Sequence, residues 1–171
     1  MQYTDSLAQP MVPIEPSLHH KVLTLSTLDQ TLNPQVQYQL YLNHIALEMG
    51  FDWLSDDLMP YLTIPYQNWK QVDGSALRFR SRKTVVIIPG DTIDAKTMSI
   101  PDYWLSGTNQ GDYFLWIQID CNELWLKFFG FIDRKTVEQS PYNSEKESYT
   151  VQSNNLVADI AVLSIINQIC C

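Results

Sequence analysis

The sequence predicts an α+β fold with N-terminal helices, a mostly antiparallel sheet of about five strands and a closing C-terminal helix. Apolar residues recur near every fourth position before Gly50 and again after Asn154, whereas from Ala76 to Ile132 they recur at every second position. No helix-length segment separates one strand-like run from the next, which favours antiparallel neighbours. At 171 residues the chain suits one domain and can bury roughly 70% of its unfolded surface. We assign 1–12 to an N-terminal tail and 13–171 to a single α+β domain.

The first helix follows PIEP. Pro16 has the fixed φ that suits a first turn, and Leu18, Val22, Leu23 and Leu25 give a short apolar side ending near Ser26. Asn33 and Pro34 form a cap and first-turn pair for a second helix, QVQYQLYLNHIALEMG, with Gly50 as its stop. Val36, Leu40 and Leu47 lie on one side of it and Tyr38, Leu42, Ile45 and Met49 on the next, a face broad enough for more than one neighbour. ALRFR, TVVIIP, YFLWIQID and ELWLKFFGFI read as strands, IPDYWL as a short strand or turn, and SYTV as an edge strand. EQSPYNSEKES reads as a loop. Ser153 or Asn154 caps the last helix, which carries Leu156, Ile160, Leu163 and Ile166 or Asn167 at helical spacing.

The two longest strands fix a register. With Cys121 and Asn122 as a two-residue loop, Ile119, Ile117 and Leu115 face Leu124, Leu126 and Phe128 on an apolar side. The other side pairs Gln118 with Trp125, Trp116 with Lys127 and Phe114 with Phe129. Cys-Asn is a poor two-residue turn, so a four-residue loop competes, and the faces survive only an even shift.

Eleven basic against nineteen acidic residues give a net charge of −8, which disfavours general binding to nucleic acid phosphates. MQYTDSLAQP has neither the basic nor the apolar region of a secretory signal, and LVADIAVLSIINQICC is too short and too polar to span a bilayer. Three cysteines, Cys121, Cys170 and Cys171, make no disulfide framework. The expectation is a cytoplasmic protein with reduced thiols and no membrane partner.

Against that acidic balance, four of the eleven basic residues fall within RFRSRK. A strand would send Arg78, Arg80 and Arg82 to one side at about 7 Å spacing, with a turn near Ser81 to Lys83, and such a row can grip carboxylates or phosphates. The competing account is a solvated strand face balanced by Asp91, Asp94 or Asp133. Arg78, Arg80, Arg82 and Lys83 are the expected partner-binding residues.

KFFGFI puts Lys127, Phe129 and Phe131 on one strand face, joined by Trp116 and Trp125, like the aromatic sheet of RNA recognition domains. Phe128 and Arg134 depart from that motif, and aromatic residues on a sheet are commonly covered by helices. His44 and Glu48 stand one helical turn apart with Asp52 beyond, as in half a metal site, but no further ligand is evident. Asp91 and Asp94 in PGDTID offer an acid and base pair, which is also what a strand-to-turn exit looks like. The chain has no nucleophile elbow, no phosphate-cradling glycine loop and no cysteine with a near histidine in sequence. Neither a cofactor nor a metal is expected.

VPIEPSLHHKVLTLS, YLNHIAL, WKQVDGSALRF, VVIIPGDTID, IPDYWL, GDYFLWIQID and LWLKFFGFI occur here in this order, from about residue 12 to the end. Their succession resembles the cyanobacterial family described as domain of unknown function 1822, many of whose members are longer. The resemblance implies no activity, cofactor or site residue; its implied partner is transcription-related. The resulting expectation is a non-catalytic protein-interaction or regulatory module. A hydrolase with an unrecognised carboxylate site and single-stranded RNA binding are the alternatives.

Overall fold

The protein is described from a computed structural model covering residues 11–63, 69, 72–92, 94–106 and 110–169. Residues 1–10 of the expected tail and the Cys170–Cys171 pair lie outside the described residues. The chain runs β1 (Met11–Pro13), α1 (Pro16–Thr27), α2 (Pro34–Leu54), β2 (Ser75–Arg78), β3 (Thr84–Gly90) and β4 (Thr97–Pro101). It continues with β5 (Tyr113–Asp120), β6 (Trp125–Asp133), α3 (Arg134–Glu138), β7 (Tyr142–Asn143), β8 (Ser148–Gln152) and α4 (Ala161–Ile169). The α+β class is as expected, but the strands form two sheets, in the orders β1-β6-β5-β3-β2 and β4-β8-β7. Met11 and Val12, assigned above to a tail, belong to β1 and pair with Lys127 and Leu126.

The larger sheet is mixed. β3 and β5 lie parallel, Val85 to Gly90 against Tyr113 to Gln118, while the other three pairings are antiparallel. A parallel pair needs a long crossover, usually a helix. Here the crossover is the stretch 91–112, which contributes β4 and a 3-10 turn, Asp102–Trp104, so a strand takes the place a helix would fill.

Between β5 and β6 the loop has four residues, because Asp120 Oδ1 accepts from the amides of Asn122 and Glu123 at 2.9 and 3.0 Å. Asp120 therefore faces Trp125 rather than Glu123, a shift of two that keeps the faces: Ile119 opposes Leu126 and Ile117 opposes Phe128. Farther on, a bulge between Phe128 and Gly130 moves Leu115 opposite Phe131. Gly130 has φ +150°, and a Cβ there would meet the Val157 carbonyl oxygen at 2.8 Å. Glycine is needed where that backbone crosses.

α2 begins as expected, with Asn33 Oδ1 accepting from Val36 N at 2.9 Å. It does not stop at Gly50 but continues to Leu54. Gly50 instead allows close approach: a Cβ there would stand 2.4 Å from Ile87 Cδ1. Buried Asn43 anchors the same helix, donating to Val72 O at 3.1 Å and accepting from Gly74 N at 2.8 Å. α1 packs with α2 through Val22 and Ser26, leaving Leu23 and Leu25 exposed. On the other sheet face, Met98 of β4 shares a cavity wall with Ile88 and Trp116.

The last helix starts later than expected. Ser153–Asn155 form a 3-10 turn, Val157 bridges to Phe131, and Asp159 Oδ1 accepts from Ala161 N where α4 begins. Among the described residues no helix is long and apolar enough to cross a membrane.

Gly50→Ala should lower stability even though alanine is favoured in helices by about 1 kcal/mol. Ile87→Val removes the methyl that the new Cβ would meet. A double-mutant cycle by urea denaturation should therefore show a smaller loss for Gly50→Ala in the Ile87→Val background.

Candidate functional site

Among the described residues, two places bring together side chains that the sequence singles out, the arginines at one and Asp91 with Cys121 at the other. The first is the tip of the β2–β3 hairpin. β2 ends at Arg78, which pairs with Thr84, so Arg80 and Arg82 lie in the connection rather than along a strand face. The arginine row expected from a period-two backbone is thus replaced by a turn. Phe79 N donates to Lys83 O at 2.8 Å and Arg82 N to Phe79 O at 2.9 Å, with Arg82 in left-handed backbone at φ 68°. This is the hairpin connection in which glycine usually holds the left-handed position.

The tip is held from below. Phe79 is buried and bridges Leu58, Arg80 N donates to Asp57 O at 3.0 Å, and Ser81 N donates to Asn167 Oδ1 at 3.1 Å. Arg78, Arg80 and Arg82 are exposed, and among the described residues none of them has a carboxylate within 4 Å. Lys83 differs, since its Nζ lies 3.3 Å from Asp112 Oδ1. Asp91 and Asp133, expected as balancing charges, are engaged elsewhere: Asp133 caps α3 through Thr136, and Asp91 accepts from Tyr38.

The expected aromatic surface is dismantled by the bulge. Trp116 and Phe131 are buried, while Trp125 and Phe129 are half-buried. Phe129 packs on Trp116 at 4.6 Å with Lys127 Nζ 5.1 Å from its ring centroid. Phe131, opposite Leu115, packs instead with Tyr113 at 6.2 Å. Lys127 and Phe129 therefore do not share a face with Phe131, and Trp116, Trp125, Phe129 and Phe131 do not form one open surface.

The second place is a groove of about 280 Å³ beside Cys121, with walls from α1 and α2. It lies at the carboxyl ends of the parallel pair: Asp91 follows β3 and Cys121 follows β5. Tyr38 joins the two exits, donating to Asp91 Oδ2 at 3.1 Å with its oxygen 3.6 Å from Cys121 Sγ. A phenol has one proton, so with that proton on Asp91 the thiol is the donor to Tyr38. Tyr41 stacks beside Tyr38 and shares a hydrogen bond with His19 Nδ1 at 2.8 Å.

Burial raises the Tyr41 pKa to about 12, aided by Cys121, and pushes Tyr38 well above the ordinary phenol range, aided by Cys121 and Asp91. The Cys121 pKa is also raised, chiefly by burial, with Asp91 and Asp120 adding to it and the neighbouring Tyr38 and Tyr41 hydroxyl groups opposing it. Near neutral pH the thiol and both phenols keep their protons. A protonated thiol is a weak nucleophile, so the chemistry offered here is hydrogen bonding. Sequence spacing does not reveal this cluster, because His19 and Cys121 meet only after α1 is folded onto α2 and α2 onto the sheet.

The remaining candidates are engaged separately. The His44 ring packs edge-on against Trp69 at 4.3 Å, and Glu48 lies 4.0 Å from Lys21 Nζ. No group of three His, Cys, Asp or Glu side chains among the described residues is arranged to hold a metal ion. Asp94 is exposed in left-handed backbone at φ 59°, in the turn after β3.

A helical layer, a central mixed sheet and a smaller antiparallel sheet define an α+β protein with a cationic hairpin at the start of β3 and, at its end, a groove whose lining holds no lysine, arginine or carboxylate. The chain belongs to the family described as protein of unknown function DUF1822, whose model matches residues 12–171. No curated protein and no solved structure matches it.

Two measurements check these electrostatics. Alkylation of Cys121 at pH 8, followed on its own peptide by mass spectrometry, should run slower than for an unstructured thiol and should quicken in Asp91→Asn. Burial, with Lys21 adding to it, lowers the His44 pKa from 6.5 to about 4, so the unfolded chain takes up a proton that the folded chain refuses. Stability should therefore fall as pH drops from 6.5 towards 4, with a slope reduced by up to one proton in His44→Gln.

Proposed function

We propose that this protein is a non-catalytic interaction module of the cytosol that docks an acidic protein surface on the β2–β3 hairpin. The supporting observation is the tip itself: three exposed guanidinium groups without a carboxylate within 4 Å among the described residues, on a chain of net charge −8. Intramolecular ion pairs would otherwise be expected to form among so many acids. A guanidinium left in water retains its fork of donors for a partner's carboxylates.

The tip is also pre-organised. Its backbone amides are committed to Asp57, Asn167 and Lys83, so docking orders little further chain. Arg82 occupies backbone where an L-residue costs about 1–2 kcal/mol and glycine does not. Keeping arginine there favours a role for its side chain over local stability. An acidic protein fits better than single-stranded RNA, because Trp116 and Phe131 are buried and the overall charge repels phosphates.

Arg82→Gly should raise stability by about 1 kcal/mol while weakening retention of native protein partners. Arg78→Glu/Arg80→Glu/Arg82→Glu should abolish retention with its circular dichroism unchanged. Affinity capture compared between these variants and the unmodified protein reads both effects. Capture that is the same for all three proteins would reject the hairpin as a docking site.

A further inference from the structure

The groove between α1 and α2 does not belong to the hairpin surface, and its hydrogen bonds define what it can accept. Ser26 Oγ donates to Val22 O at 2.7 Å, Thr27 Oγ1 to Leu23 O at 2.8 Å, and Gln37 Nε2 to Asp29 O at 3.2 Å. Tyr38 donates to Asp91. Four wall side chains thus spend protons on the protein itself; Ser26 Oγ is fully buried, so the acceptors that the lining residues can still offer are the Thr27 hydroxyl oxygen, the second lone pair of Tyr38 and the Gln37 carbonyl oxygen, on a wall that is otherwise apolar. Such a wall suits a hydrogen-bond donor.

Charge narrows the class further. No lysine or arginine lines the groove, and the nearest fixed charge in its hydrogen-bond chain is the Asp91 carboxylate. An anion entering would lose hydration and meet neither lysine nor arginine, and the one basic ring on the lining, His19, already shares its Nδ1 with the Tyr41 hydroxyl. The remaining lining is flat or apolar: Leu23, Pro34 and the neighbouring rings of Tyr38 and Tyr41, 6.3 Å apart and nearly parallel. About 280 Å³ suits one or two fused rings.

Its position in the fold points the same way. Adjacent parallel strands whose chains part at their carboxyl ends leave a crevice there, a recurrent ligand position in sheets covered by helices. After β3 the chain leaves for β4 and the second sheet, whereas after β5 it turns back into β6. Tyr38 spans the gap with one bond to each side. We propose that this groove is a binding site for a small uncharged aromatic molecule bearing a hydrogen-bond donor, a phenol- or indole-like ring.

The ring lies among Leu23, Pro34 and Tyr38, and its donor reaches an acceptor of the wall. Amide chemical-shift titrations of the full chain with phenol, anisole and benzoate test this. Phenol should shift the amides of Gln37 to Tyr41 and Cys121 to Leu124 with roughly millimolar affinity, as expected of so few atoms. Anisole, which lacks the donor, should bind roughly two- to tenfold more weakly, the worth of one hydrogen bond. Benzoate should leave these amides unmoved.

Leu23→Trp places a large side chain at an exposed position on the groove wall and should erase the phenol response. In the unmodified protein, phenol should also slow alkylation of Cys121, a readout that does not depend on the variant folding. Absence of any groove response to phenol, or equal responses to phenol, anisole and benzoate, overturns the assignment. Either result leaves the arginine hairpin untouched, since its test reads partner capture.

Discussion

The close seat of α2 on β3 holds the rest of the molecule in place. With no side chain on Gly50, the helix backbone comes down onto Ile87, and Ile117 of the neighbouring parallel strand stands within 3.6 Å of the missing Cβ. Helices usually pack at a distance set by the side chains between them. Here the spacing is set by one absent methyl, and Asn43 fixes the helix along its length by gripping the backbone on both sides of Asp73. Tyr38 and Tyr41 lie twelve and nine residues before Gly50 on the same helix, so their place over the strand ends follows from that contact.

Much of this architecture was legible in the residues. Asn33 and Pro34 start a helix for local reasons, a side-chain oxygen that meets a free amide and a ring that already has helical φ, and local reasons survive folding. Alternation along β5 and the first half of β6 likewise survives, because a strand sorts its side chains whatever its neighbours are, whereas the turn after Arg78 and the bulge at Phe129 interrupt it elsewhere between Ala76 and Ile132. Gly50 misled, since glycine serves both as a helix stop and as a surface for close approach, and only the partner helix or strand decides between them. The parallel pairing of β3 with β5 was hidden because the crossover is built of a strand and a 3-10 turn, without the helical period that announces such units.

The candidate sites were legible to different degrees for the same reason. Exposure of Arg78, Arg80 and Arg82 follows from charge alone and needs no tertiary information. Their arrangement does not, because a single left-handed residue at Arg82 converts a strand face into a turn. One extra residue in β6 similarly parts Phe129 from Phe131, and period-two counting has no means of seeing a bulge. The groove was the least legible feature. His19, Tyr38, Asp91 and Cys121 come from four separate segments, and what relates them is the geometry of helix on sheet.

β3 joins the two surfaces. Its first residue pairs with Arg78 at the hairpin, and its last precedes Asp91 at the groove, so seven residues at about 3.3 Å each place them roughly 20 Å apart. That strand is hydrogen-bonded on both edges, and Val85 to Ile88 are buried. Sliding it would break two ladders at once, which makes it a rigid spacer. A ligand in the groove and a partner on the hairpin would neither collide nor compete, and the screening length of about 8 Å at physiological salt separates their charges as well. Any influence of one on the other must therefore travel by a route other than β3, and Asp57 offers one. It closes the 3-10 turn Ser55–Asp57 that continues from α2, receives Arg80 N on its carbonyl and binds Ser164 through its carboxylate, so the extension of the helix that forms the groove wall ends against the base of the hairpin.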